Sequence, residues 1–117
     1  RYLPAVRLYA LLARDREPPQ QWLPAVQAGE QLDPGDPVWA ALRAYGALRL
    51  GQLDAAEQIY RQLEAQGYTA EASLGLAECA LARNDRRGAV TLLQRLDPAA
   101  LESSQREWLA RLRARLR

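Results

Sequence analysis

The feature that most restricts this chain is a segment that recurs after 33 residues. Ala40-Ala41-Leu42-Arg43-Ala44 has its counterpart in Ser73-Leu74-Gly75-Leu76-Ala77, and Ala47-Leu48-Arg49-Leu50-Gly51-Gln52 in Ala80-Leu81-Ala82-Arg83-Asn84-Asp85. Ala55-Ala56-Glu57 corresponds in the same way to Gly88-Ala89-Val90, and Ile59-Tyr60-Arg61-Gln62-Leu63 to Leu92-Leu93-Gln94-Arg95-Leu96. A step of 34 residues in the other direction places Ala44 on Ala10 and Tyr60 on Val26. An interval of this size is too short for a domain and long enough for one pair of helices. Such units cannot bury their apolar faces alone and must stack on their neighbours.

The units are helical. Ala, Leu, Arg, Gln and Glu dominate, all strong helix formers, while the chain has only one Ile and four Val to favour strands. Breakers interrupt the pattern at Glu17-Pro18-Pro19, Asp33-Pro34-Gly35-Asp36-Pro37, Gly51, Gly67, Asn84-Asp85 and Asp97-Pro98. Between them fit six or seven helices of roughly 10–15 residues, and the short loops favour antiparallel packing of sequence neighbours. Gly51 stands where a helix end needs a left-handed residue, and Asn84 is the next most tolerant type there. Ala10, Ala44, Ala77, Ala56 and Ala89 are the expected close-approach positions. Val26, Ile59, Tyr60, Leu63, Leu92, Leu93 and Leu96 are the expected fillers between helices.

The expected fold is therefore all-α: a helical-repeat solenoid of about three antiparallel pairs, over residues 3–36, 37–69 and 70–98, with a C-terminal helix over 103–117. In that last helix Ser104 and Glu107 have the spacing of a capping box, and Trp108, Leu109, Leu112 and Leu116 form one apolar stripe. The chain starts at Arg and contains no Met, so it is expected to be a piece of a longer array.

Several chemistries are excluded by what the chain lacks. With no His there is no Ser–His–Asp triad, Cys–His pair or imidazole metal ligand, and one Cys makes neither a disulfide framework nor a thiolate zinc site. Cys79 is expected to be a small buried hydrophobe. Glu71 and Glu78 lie seven apart on one helix face, but one helix offers no cleft to split their acidities, so they read as solvated or groove-lining charges. Neither a phosphate-cradling glycine loop nor a nucleophile elbow occurs. The chain is expected to be no enzyme and to need no cofactor or metal. Arg106, Arg111, Arg113, Arg115 and Arg117 face only Glu107 near the C-terminus. Their sharper reading is a phosphate or nucleic-acid patch, their plainer one a solvated face helped by the helix dipole. The net charge of +2 favours the second, and no nucleic-acid partner is expected.

The repeat resembles the tetratricopeptide repeat family. Leu50-Gly51-Gln52-Leu53-Asp54-Ala55-Ala56-Glu57-Gln58-Ile59-Tyr60 is similar to that family's inter-helix turn and second helix, and Leu32-Asp33-Pro34 to its repeat-closing Leu-Asp-Pro. Arg43 departs from the family's Leu, Ala47 from its large aromatic and Trp22 from its Ala. Trp39-x-x-Leu42 matches the family's Trp-x-x-Leu only after a one-residue slip. The resemblance covers residues 1–98. It implies a concave groove lined by the first helix of each pair, which on the alignment holds Arg7, Leu11 and Arg14, then Ala41, Tyr45, Leu48 and Arg49, then Leu74, Glu78 and Leu81. Arg and Tyr are residue types that dominate protein-binding hot spots, although Tyr45 and Leu48 could equally pack between repeats.

What the resemblance implies functionally is a non-catalytic scaffold that docks a partner protein and stacks on adjacent repeats of its parent chain. Arginine-rich, lysine-free repeats of this kind are similar to those of Gram-negative exopolysaccharide exporters, where a periplasmic solenoid would recruit a polysaccharide-modifying enzyme. The alternatives are a chaperone or adaptor of another bacterial assembly, which would allow a cytoplasmic location, a helical-repeat nucleic-acid binder, and a structural spacer. The segment has no apolar run long enough to enter a membrane.

Overall fold

Between Asp33 and Asp97 every breaker falls between helices except Pro37, which opens one. A computed structural model describes residue 14 and residues 16–117, and among these it contains six α-helices: α1 (Pro19–Leu32), α2 (Pro37–Arg49), α3 (Leu53–Ala65), α4 (Thr69–Ala82), α5 (Arg86–Gln94) and α6 (Ser103–Leu116). A short 3₁₀ turn, Pro98–Ala100, precedes α6. The described residues are thus all-helical. The chain divides into two compact units, the first ending at Ile59 and the second starting at Tyr60, inside α3.

In the first unit α1 packs on α2. Pro19 opens α1 at a position whose N–H has no intrahelical partner, and the Trp22 indole N–H donates to the Glu17 carbonyl at 3.2 Å across the entry. Trp22, Val26 and Gly29 then make one buried face at intervals of four and three. Pro24 lies within the helix past its first turn, where it removes the backbone bond that residue 24 would otherwise make to the Gln20 carbonyl. Asp36 caps α2 by accepting from the Val38 amide at 3.0 Å. Trp39 and Leu42 are both fully buried, so they face inward together. Gly29 is where the two helices meet most closely, since a Cβ there would stand 2.4–2.6 Å from the Trp39 ring.

In the second unit α4 packs on α5, and α6 packs on both. Helix α4 buries Ala72 through Ala77 without interruption, which marks an inner helix enclosed on most sides. Gly75 takes the Tyr60 ring as Gly29 takes Trp39: an added Cβ would lie 2.2–2.5 Å from it. Asp85 caps α5 through the Gly88 amide at 2.9 Å. The capping of α6 differs from expectation. Ser104 and Glu107 do not form the box. The N-cap is Glu102, whose side chain accepts from the Gln105 backbone, while the Gln105 side chain accepts from the Glu102 amide at 3.1 Å. The helix starts two residues earlier than a Ser104 cap requires, because the extended backbone at Glu102 suits a cap and leaves Ser103 and Ser104 in the first turn.

Two helix ends that the sequence aligns, after α2 and α4, close alike, and Gly67 (φ 97°) closes α3 in the same way. After α2, Gly51 (φ 78°) lets the Gln52 amide reach the Ala47 carbonyl at 2.9 Å and its own amide reach Leu48 at 3.1 Å. After α4, Asn84 (φ 63°) does the same, with Asp85 to Ala80 at 2.8 Å and Asn84 to Leu81 at 3.0 Å. Both are Schellman closures. Ala44, Ala56, Ala77 and Ala89 are fully buried, as are Val26 and Tyr60, with Ile59, Leu63 and Leu93 nearly so. Leu92 and Leu96 are only half-buried, so these two expected fillers sit at the margin. Ala10 lies outside the described residues. Cys79 is buried and forms no disulfide, as a small hydrophobe would be.

Candidate functional site

Helix α2 carries the first unit's share of the expected groove. Ala41, Tyr45 and Leu48 succeed one another at intervals of four and three and so share a face. Ala41 is half-buried, Tyr45 and Leu48 are almost enclosed, and Arg49 is exposed at the rim. The Arg14 guanidinium lies 5.2 Å from the Tyr45 ring centroid and that of Arg49 6.0 Å. Two cations on one ring hold the phenol in place by cation–π attraction, about 0.5–1 kcal/mol each at partly exposed sites. Arg14, Ala41 and Arg49 thus form a small cationic surface beside the enclosed Tyr45 ring. Arg7 and Leu11 lie outside the described residues.

The second unit's candidates stand differently. Leu74 is fully enclosed and Leu81 is 9% exposed, so both serve the packing of α4. Glu78 is not an open groove charge: its Oε1 accepts the Trp108 indole N–H at 2.7 Å, and its Oε2 lies 4.0 Å from Arg115. Glu71 is drawn into the same seam, with Gln105 Nε2 donating to its Oε1 at 3.3 Å. The face of α4 that holds Glu71 and Glu78 is the one α6 covers. Burying Trp108 demands a partner for its N–H, and a carboxylate one helix away supplies it.

This seam was not read from the sequence. The seven-residue spacing of Glu71 and Glu78 was visible, as was the three-residue spacing of Gln105 and Trp108 on the next helix. Matching two polar pairs across helices is the signal that would have found it. Ser73 is buried with a hydroxyl that makes no hydrogen bond. Among the described residues, no cluster of His, Cys, Asp or Glu is placed to hold a metal ion, and no helix is long and apolar enough to cross a membrane. No protein-family model, curated protein or solved structure matches the chain.

Proposed function

We propose that the chain is a non-catalytic protein-interaction scaffold, a tetratricopeptide-like solenoid of about three helix pairs ending in α6. The observation that carries this is the return of one turn at the repeat interval. Gly51 and Asn84, 33 residues apart, close their helices with the same two backbone bonds. The same turn at the interval of the sequence repeat supports a chain built from copies, and stacked copies would offer extended surfaces for docking.

The docking surface is the α2 rim of Ala41 and Arg49 with Arg14, where both guanidinium groups lie against the enclosed Tyr45 ring and that of Arg49 is exposed. The partner is a polysaccharide-modifying enzyme, met in the periplasm of a Gram-negative bacterium as part of an exopolysaccharide secretion complex. The lysine-free, arginine-rich repeats support this, being similar to those of exporters such as the Pel polysaccharide export protein. A photo-crosslinking residue at Ala41 or Arg49, and at the exposed Gln62 as control, tests the assignment in cells that make the secretion complex. Adducts to a periplasmic polysaccharide-modifying enzyme from the α2 positions alone are expected. Adducts only to cytoplasmic chaperones, or equal adducts from Gln62, would overturn it.

A further inference from the structure

Helix α6 has two unlike faces. Trp108, Leu109 and Leu112 are buried in the second unit, with Gln105 and Leu116 half-buried beside them. Opposite them Glu107, Ala110, Ala114 and Arg117 follow at intervals of three, four and three residues, and all are exposed. That is the spacing of the contact edge in a two-helix seam. Arg111 flanks this edge on one side and Arg106 and Arg113 on the other, all exposed. Those are the positions from which charged residues select a partner helix.

Of the four arginines of α6 and the Arg117 that follows it, two have partners inside the unit. Arg106 donates to the Leu101 carbonyl at 2.5 Å, and Arg115 lies 4.0 Å from Glu78. Among the described residues Arg111, Arg113 and Arg117 meet no carboxylate. Arg86 adds a further guanidinium by donating to the Arg115 and Leu116 carbonyls at the helix end. Arg111 and Arg115, and Arg113 and Arg117, are like charges four apart, which repel on a helix. The helix dipole relieves this only in the last turn.

We propose that this face of α6 docks an acidic amphipathic helix of a partner protein. Ala110 and Ala114 keep the edge low enough for a second helix backbone to approach. Arg111 on one flank, and Arg106 and Arg113 on the other, reach carboxylates that border the partner's apolar edge, where a planar guanidinium can bind both oxygens. The face suits RNA less well, because α6 exposes no aromatic ring to stack a base, Trp108 being buried. It suits a lipid surface less well, because no large apolar side chain stands on it to insert. The residues are not those of the α2 face, and the inference does not rest on the function proposed for that face.

The probe is a blocked, fluorescent, alanine-based helical peptide of about 20 residues, long enough for a stable helix, with glutamates in two rows flanking an alanine edge. A scrambled peptide of the same composition is its control. By anisotropy with the full chain at low salt, the patterned peptide binds about tenfold tighter than the scrambled one, and added salt weakens it. R111Q/R113Q loses about tenfold, while R16Q/R43Q, an equal charge change at exposed arginines of the first unit, loses less than about twofold. Equal binding of the two peptides, or equal loss in the two variants, would show bulk charge alone and overturn the proposal. Tighter binding to poly-uridine RNA or to phosphatidylserine vesicles at the same salt would reassign the face and overturn it too.

Discussion

Trp39 in the first unit and Trp108 in the second are equally buried, at 0% and 1% exposure, yet they hold their surroundings by different means. Trp39 is a wedge: its ring lies over Gly29, and its Nε1 makes no hydrogen bond. Trp108 is a fastener, its Nε1 bonded to Glu78 while its ring fills the core beside Leu109 and Leu112. The first pairing depends on shape alone, and the second on shape plus a charge-assisted bond. The second unit also has a ring packed on helix backbone, Tyr60 over Gly75, so both kinds of contact occur within one chain.

The largest expected effects come from closing the spaces that the rings occupy. Gly75→Ala places a methyl group where the buried Tyr60 ring already stands, and Gly29→Ala does the same against Trp39. A rigid buried ring cannot yield as a flexible chain end would. Each variant is expected to lose about 2–3 kcal/mol in urea denaturation, since overpacking outweighs the roughly 1 kcal/mol that Ala gains over Gly in a helix. Trimming the ring as well, in Gly29→Ala with Trp39→Leu, should recover part of the loss. A neutral Gly75→Ala would mean the ring does not sit over the helix backbone.

The two tryptophans give the next contrast. Trp39→Phe removes volume and an unbonded donor, whereas Trp108→Phe removes volume and a bond to a carboxylate. A hydrogen bond to a charged group contributes about 1.5–3 kcal/mol, less where the carboxylate is partly solvated, as Glu78 is at 22% side-chain exposure. Trp108→Phe is therefore expected to cost about 1–2 kcal/mol more than Trp39→Phe. Equal losses would reduce Trp108 to a second wedge.

Legibility in the sequence follows the range of the forces involved. Helix ends are decided by local chemistry, and Asp36, Gly51, Asn84 and Asp85 each stand where a cap or closure needs their residue type. The inner positions Ala44, Ala56, Ala77 and Ala89 were legible because the repeat aligned them. Gly29 and Gly75 were not. A glycine within a helix shows its purpose only when the ring above it is known, and that ring comes from another helix. The fate of Glu78 was hidden for the same reason, since the residue that takes it up lies 30 positions away. For α6 the stripe of Trp108, Leu109 and Leu112 was read correctly. Its cap was misplaced because Glu at an N-cap is less favoured than the Ser two residues on.

Smaller effects sharpen the likeness of the two units instead of their difference. Gly51 and Asn84 occupy the same left-handed position, where a side chain with a Cβ costs about 1 kcal/mol and Asn costs less. Gly51→Ala should lower stability by about 1 kcal/mol, and Asn84→Gly should raise it by a few tenths. If Asn84→Gly destabilised instead, the Asn side chain would be holding the turn by a contact of its own.

The smallest expected change is also the most closely matched. Both units have a well-formed surface ion pair among the described residues, Glu30 with Arg43 at 3.2 Å and Glu64 with Arg95 at 2.6 Å. The side-chain exposures are the same in both, 28% for the glutamate and 46% for the arginine. Distance alone would rank the second pair higher. Solvent screening and the entropy of fixing two long side chains leave such pairs worth roughly 0.2–1 kcal/mol whatever their length within contact range. Glu30→Gln and Glu64→Gln are therefore expected to cost the same few tenths of a kcal/mol, and both losses should vanish in about 1 M salt, where charges are screened within about 3 Å. A clearly larger loss for Glu64→Gln that persisted in salt would mean that Arg95 ties α3 to the rest of the second unit by geometry as well as by charge. The polar cohesion seen at Trp108 would then extend to the other side of that unit.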